Sequence, residues 1–371
     1  MKKLDNFHDL FKNVSKPLIL LPVFFCILSI LMMFSTSYDN HIVFSRDVIV
    51  QSAAYLIGFV LIIIIASMDY SVFEEIERPL YIGSVVFLLL PYLPFIGLEV
   101  NGARSWINLG ITTLQPSEII KITFVLLMAN YLNRNRDKLY TLKSILMAAL
   151  YAAPFILIVL KEDFGSAVVF IIMWIVMIFF AGIDGRLFAK CAGITLLFIP
   201  AAYSLLDDYQ QERITAFIHP DNLALQGNYQ VWQSKVAIGS GGFFGKGLFQ
   251  GTQKDLDFLP VRNSDFIFSV VVEELGFIGG AVLIAAYTWF IYAISKVALS
   301  AKDLYGTLVV MGFLGMFVFQ IFENIAMCMG VMPCTGITLP FISYGGTSIL
   351  SCMVATGFII NVAIRNRGVT F

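Results

Sequence analysis

Asp265 stands where a long polar segment gives way to an apolar run, in Asp255-Leu-Asp-Phe-Leu-Pro-Val-Arg-Asn-Ser-Asp265-Phe-Ile-Phe-Ser-Val-Val-Val-Glu-Glu274. A carboxylate at a boundary between water and hydrocarbon is either held by partners or used in proton transfer, because burying it unpaired is costly or forces protonation. A second group of charges precedes it, in Leu114-Gln-Pro-Ser-Glu118-Ile-Ile-Lys121. Pro116 suits a first helical turn and Glu118 the positive end of the helix dipole. Lys121 lies a turn deeper, at i,i+3 from Glu118, where the two can pair on one face or where the lysine stem can snorkel outward. Lys161-Glu-Asp163-Phe-Gly165 reads first as a polar turn that caps the next helix.

The elements that must position these residues are membrane helices. With 58% hydrophobic residues, 13% charged residues and a mean hydropathy of +0.84, the 371-residue chain has too little polar surface to cover a soluble globule. Pro17 to Phe34, behind Lys2, Lys3, Lys12 and Lys16, reads as a retained anchor helix, with residues 1–16 as a cytoplasmic tail. Apolar runs of spanning length follow near 47–68, 80–98, 117–133, 144–160, 166–182, 187–204, 265–295, 306–330 and 345–364, giving an all-α polytopic membrane protein of ten helices. Placing both termini inside puts 15 of the 24 Lys and Arg on the inner side, although the inner loop Asp69 to Arg78 is acidic. Short connections imply a single membrane domain over 1–371. The exceptions are outer loops near 99–116 and 205–264, the latter between helices 7 and 8. Aromatic and aliphatic residues interleave with its glycines, which predicts an ordered, membrane-hugging segment.

In this topology Arg104, Glu118, Lys121, Asp163 and Asp265 all meet at the outer boundary with acid and base balanced, the pattern of a mixed polar cavity that opens outward. Gln320, Glu323 and Asn324, inside the ninth helix, read first as hydrogen-bonding groups between helices. His8, His41 and His219 make no cluster, so a histidine-based metal site or triad is not expected. Cys26, Cys191, Cys328, Cys334 and Cys352 lack ligand spacing and read as core residues; Cys328 and Cys334 are the one pair whose spacing leaves a bridge open. A net charge of −1 gives no sign of a nucleic-acid partner. No phosphate loop, HExxH or GxSxG occurs, which argues against nucleotide-driven work within the chain.

Several motifs resemble the SEDS (shape, elongation, division and sporulation) family, in order over nearly the whole chain. They are Asn101-Gly-Ala-Arg-Ser-Trp106, Leu114-Gln-Pro-Ser-Glu118-Ile-Ile-Lys121, Asp163-Phe-Gly165, Gln233-Ser-Lys-Val-Ala-Ile-Gly-Ser-Gly-Gly242, Ser264-Asp-Phe-Ile-Phe268, Glu273-Glu-Leu-Gly276 and Leu339-Pro-Phe-Ile-Ser-Tyr-Gly-Gly346. Gly251-Thr-Gln253 with Phe258-Leu-Pro260 is more similar to the RodA branch than to the FtsW branch. The resemblance implies a ten-helix peptidoglycan glycosyltransferase in the bacterial cytoplasmic membrane that polymerises lipid II on the outer face. It implies a catalytic role for Asp265, and a cavity lined by Glu118, Lys121 and Asp163, with Trp106 and Ser264 as further substrate contacts from the matching motifs. It implies a class B penicillin-binding protein transpeptidase and elongation-complex proteins as partners. No cofactor is required by it; a divalent cation is left open. Where the family pattern is Leu-Pro-Glu followed shortly by His-Thr-Asp, this chain has Val261 and Asn263-Ser264.

In the implied reaction an acceptor sugar hydroxyl displaces polyprenyl diphosphate from an anomeric carbon with inversion. Asp265 is the candidate base, and Arg104 and Lys121 are candidate cations for the diphosphate or sugar, positioned by Glu118 and Asp163. A helix N-terminus would lower the basicity of Asp265, so burial has to offset it. The rival reading is a lipid-linked precursor flippase or transporter, which an outward polar cavity would also suit, although no internal repeat is found. A non-catalytic scaffold for cell-wall enzymes is the third.

Overall fold

The structure is a computed structural model that describes residues 14–38, 43–93, 95–100, 103–108, 110, 113–139, 141–190, 193, 203–204, 206–225, 227–252 and 258–365. Its main helices are α1 (Pro17–Thr36), α2 (Arg46–Ser67), α3 (Glu77–Leu89), α4 (Pro116–Arg134), α5 (Leu142–Glu162), α6 (Phe164–Phe180), α7 (Asp208–Ile218), α8 (Asn228–Gly241), α9 (Ile267–Ser300), α10 (Leu304–Cys328) and α11 (Gly346–Arg365). Several starts are fixed by side chains that accept from otherwise orphaned N–H groups: Ser45 from Val48, Thr141 from Ser144, Asp163 from Ser166 and Asp303 from Gly306.

Six helices, α1, α2, α5, α9, α10 and α11, are long and apolar enough to cross a membrane. The chain is therefore a multi-pass membrane protein, and the expected ten spans are reached only in part. Most of the expected span 187–204 lies outside the described residues, as do Cys191 and the tail 1–13. The helix in the expected span 80–98 stops at Leu89 after 13 residues. Pro91, which has no N–H to donate, sits in a 3₁₀ turn over Leu90–Tyr92, and a strand begins at Gly97. α6, of 17 residues, is apolar but shorter than the six.

The all-α expectation also needs correction. The outer segment after α3 is a three-stranded antiparallel sheet, β1 (Gly97–Val100), β2 (Ala103–Asn108) and β3 (Thr113–Leu114), in the order β1-β2-β3. Leu98 pairs with Trp106, and Ile107 with both Gly97 and Leu114. Alternation along β2 buries Ile107 and turns its neighbours to the other face. The sheet ends one residue before Pro116 and so delivers the chain to the start of α4.

α4 is buried on nearly every face, which places Glu118 and Lys121 inside the bundle. α11 lies along α2, where Gly58 faces Met353 and Gly357 faces Ile62 and Ile65 at backbone-close range. One continuous apolar core runs from Val14 to Val362.

The long loop is ordered where it is described: it holds α7, α8 and a glycine-rich turn over 241–247 that docks on α9. α9 is broken at Gly276 (φ 70°, ψ −170°). A break leaves backbone groups without helical partners, and in an apolar setting these must be satisfied by protein. Phe277 and Ile278 donate their N–H groups to the carbonyls of Gly242 and Phe243, at 2.9 and 3.3 Å, while Lys246 and Gly247 donate to Glu273 and Glu274, both at 3.0 Å. The approach leaves no room for side chains: a Cβ on Gly276 would lie 2.3 Å from the Gly245 nitrogen, and one on Gly245 would lie 2.1 Å from the Glu274 oxygen. Glu273 and Glu274 are buried and tied to neighbouring segments. Lys246 Nζ reaches Glu273 Oε1 at 2.7 Å, and Ser35 Oγ donates to Glu274 Oε1 at 2.5 Å. Cys328 and Cys334 are free thiols, so the bridge left open by their spacing is not formed.

Gly245→Ala meets backbone at a positive φ and is expected to lower the thermal midpoint of the detergent-solubilised protein markedly, or to prevent recovery of folded protein. Gly239→Ala, exposed in α8 with open space around its Cβ, should be neutral or stabilising by up to about 1 kcal/mol. Equal melting of the two variants would show that the docking of the glycine turn is not what holds the broken helix.

Candidate functional site

Asp265 lies in the turn just before α9, and its position is set mainly through main-chain carbonyls. Asn324 Nδ2 donates to the Asp265 carbonyl and to that of Ile337, each at 2.8 Å. Ser343 Oγ donates to the Ser264 carbonyl at 2.6 Å, and the Tyr344 N–H to that of Asn263 at 2.8 Å. α10 and the 337–344 segment thus hold three consecutive residues of the turn. Asn324, first read as a bond between helices, reaches instead from α10 to the turn before α9 and to the non-helical Ile337, and so fixes Asp265.

The Asp265 carboxyl opens into a cavity of about 350 Å³ whose walls come from β2, α4, α6, α7, α10, the turn before α9 and the 335–348 segment. Gly336 faces it with no side chain: a Cβ there would lie 3.5 Å from Asp265 Oδ2 and 3.7 Å from Arg213 Nη1, so the carboxylate and the guanidinium converge over this glycine. Burial raises the Asp265 pKa above the ordinary aspartate value; the Ser264 hydrogen bond and the Arg213 charge hold it down in part, and Asp163 adds to the rise. The dipole effect expected at a helix start is outweighed by burial, and the carboxyl side chain does not cap α9.

The other expected site residues divide. Trp106, Glu118, Asp163 and Ser264 line the same cavity as Asp265. Asp163 also has the capping role that its turn suggested: Oδ1 accepts from the Ser166 N–H at 3.0 Å, and Oδ2 accepts from Ser166 Oγ at 2.7 Å and from Gln115 Nε2 at 3.0 Å. Lys121 pairs with Glu118 at 2.7 Å and is 1% exposed, so it does not snorkel. It sits behind Glu118 and is not part of the cavity wall. Arg104, on the exposed face of β2, borders a separate pocket of about 30 Å³ together with Tyr92, Ser117 and Asp163. Neither Lys121 nor Arg104, the cations expected at the cavity, is part of the wall of the main one: a short ion pair engages the first, and the second borders the smaller pocket.

The cation in the cavity wall is Arg213, which sequence reasoning did not single out. It projects from α7 with Gln210, one turn away on the same face, and Gln210 Nε2 donates to the Leu160 carbonyl at 3.0 Å. The signal available was this i,i+3 polar pair inside the long loop. Gln320 and Thr335 also line the cavity, and Thr335 donates to the buried carboxylate of Glu323. Among the described residues no three His, Cys, Asp or Glu gather as a metal site.

Residues 13–368 match the family model FtsW/RodA/SpoVE, described as cell cycle protein. Stage V sporulation protein E of Bacillus subtilis (strain 168) is 32% identical over 369 residues, covering 96% of this chain and 99% of the relative. Peptidoglycan glycosyltransferase MrdB of Escherichia coli (strain K12) is 32% identical over 311 residues, 84% of each chain. Among solved structures, a chain of a peptidoglycan synthase complex superposes with a TM-score of 0.80 at 27% identity, covering 96% of this chain and 99% of that one. The rod shape determining protein RodA of Thermus thermophilus superposes with a TM-score of 0.70 at 26% identity and the same coverage. With a family match over almost its entire length and relatives above 30% identity, the chain belongs to the FtsW/RodA/SpoVE family of cell cycle proteins.

Proposed function

We propose that this protein is a peptidoglycan glycosyltransferase that polymerises lipid II at the outer face of the bacterial cytoplasmic membrane, with Asp265 as general base. The activity rests on family membership and on relatives named for it. The assignment of the base is carried by one observation: the carboxyl of Asp265, its pKa raised by burial, opens into the large polar cavity beside Arg213. A raised pKa brings an aspartate closer to the working pH and makes it a better proton acceptor once ionised. In the reaction, Asp265 takes the proton of the acceptor hydroxyl as that oxygen bonds to the anomeric carbon of the donor sugar. The bond from that carbon to the diphosphate oxygen breaks, and polyprenyl diphosphate leaves with the electron pair. Arg213 supplies the positive charge nearest the reacting groups; Glu118, Trp106, Gln320 and Ser264 shape the surface that orients the sugars. Both termini inside, as the basic residues favour, places this cavity outward. The solved neighbour's complex coordinates polymerization and crosslinking, which supports a transpeptidase of the class B penicillin-binding protein type as partner here.

Asp265→Asn is expected to abolish glycan formation from lipid II; near-normal polymer on a gel would sink the assignment. A carboxyl whose folded pKa is raised contributes stability below its unfolded pKa and loses it as pH rises through the folded value. The same variant should therefore melt higher than wild type at neutral pH, with the gap closing towards pH ~4, near the ordinary aspartate pKa. Arg213→Ala should lower turnover by about 10²-fold or more. It should also move the acid limb of the pH–rate profile to higher pH, since the arginine depresses the Asp265 pKa. A loss of rate with an unmoved limb would place Arg213 outside the base's environment. Lys121→Met alone strands a buried carboxylate and should cost about 3–5 kcal/mol, with Lys121→Met/Glu118→Gln recovering much of the loss. If the double variant folds as well as wild type and polymerises lipid II, the pair is structural.

A further inference from the structure

The turn that carries Asp265 is a wall between two cavities. Beyond it from the Asp265 cavity lies a second, of about 360 Å³, bordered by Thr36 and Ser37 at the end of α1, Asp47 in the first turn of α2, and the segment Leu259–Asn263. Val261 lines both cavities. The second cavity is built from three separate segments tied together by side chains. Asn263 Nδ2 donates to Asp47 Oδ2 at 2.7 Å, the Tyr344 hydroxyl hydrogen-bonds to Asp47, and Ser37 Oγ lies 2.8 Å from Ser45 Oγ.

Val261 adds an independent observation. Its φ of 55° is in the left-handed region, where a β-branched residue is an outlier. Such conformations persist where the surroundings over-determine them and cluster at ligand clamps and active sites. Here the carbonyls of Asn263 and Ser264 are both pinned from the 343–344 segment. These hydrogen bonds hold the turn in its strained form, with Val261 bordering both spaces.

The walls indicate the ligand. The Asp47 carboxylate, the Arg262 guanidinium, the Asn263 amide and two hydroxyls, beside the apolar faces of Leu259 and Pro260, put one charge of each sign on the wall and suit a ligand without net charge that is rich in hydroxyl and acetamide groups. A polymer-forming enzyme must also hold chain on more than one side of the bond it makes.

We propose that this second cavity is a saccharide subsite that binds a sugar unit one step removed from the bond being formed; the proposal rests on the glycosyltransferase reading above. Asp47 and Asn263 hold hydroxyl and acetamide groups, and Val261 separates this sugar from the reacting pair.

The test uses the full-length chain carrying Asp265→Asn, which stops turnover and leaves this cavity untouched. It is titrated with the lipid-free disaccharide of N-acetylglucosamine and N-acetylmuramic acid and followed by saturation-transfer NMR. Binding is expected, weakened about tenfold or more when Ser37→Phe fills the cavity. Equal affinity with and without Ser37→Phe, or no binding by the parent at millimolar disaccharide, overturns the subsite. In the otherwise wild-type chain, Ser37→Phe should shorten the glycan made from lipid II, and unchanged length overturns the proposal as well. Should Ser37→Phe fail to fold, Asp47→Asn, nearly equal in shape, is expected to show the same weakening. A wild-type chain that binds the disaccharide but makes no glycan contradicts the activity reading itself, an outcome distinct from loss of the subsite alone.

Discussion

The backbone exchange between the glycine turn 241–247 and the break in α9 is the contact on which the site depends. A helix interrupted at Gly276 exposes N–H and C=O groups where lipid or apolar side chains offer nothing in return. Four hydrogen bonds from the glycine turn answer them. Only glycines allow two backbones to approach so closely, as the 2.1–2.3 Å hypothetical Cβ contacts make plain. The short half of α9, with the Asp265 turn at its head, is thereby joined to α8 and held at a set depth. The long outer segment is thus part of the scaffold.

On that scaffold the charges are separated by function. Glu118 and Lys121 close on each other within α4, and removing either would leave a buried charge exposed to its own desolvation cost. The carboxylate oxygens of Asp163 are committed to Ser166 and Gln115, which joins the start of α6 to the entry of α4. Asp265 and Arg213 face the cavity together. Burial makes the carboxylate a stronger base, and the Ser264 hydrogen bond and the Arg213 guanidinium carried by α7 moderate it. Gln210, through its bond to the Leu160 carbonyl, is one of the contacts that hold α7 there.

Much of this was legible in the chain. Apolar length located the six strong spans, the Pro116-Ser-Glu118 start located α4, and the i,i+3 spacing identified the Glu118 and Lys121 pair. Asp265 was legible because a carboxylate directly ahead of a long apolar run has few structural explanations. What was not legible has two causes. Counting apolar residues overrode the local chemistry of Pro91, so a helix was extended through a turn and into a strand whose alternation spans only six residues. Arg213 was missed because its meeting with Asp265 is a matter of tertiary packing between segments some fifty residues apart, of which the local pattern of α7 shows only the i,i+3 polar pair with Gln210. The same limit applies to Arg104 and Lys121: residue type and membrane depth suit a cavity cation, but Arg104 borders the smaller pocket and Lys121 is engaged by a local ion pair.

The departure of the motif at Val261 and Asn263 fits this division between backbone and side chain. The atoms that fix Asp265 are the carbonyls of residues 263, 264 and 265, held by Tyr344, Ser343 and Asn324. Any side chain at 261 or 263 leaves those acceptors in place provided the turn keeps its shape. Asn263 bonds to Asp47, on the side of the turn away from the Asp265 carboxyl. The positions flanking the carboxylate are thus relieved of holding it, and their side chains are left to border the second cavity.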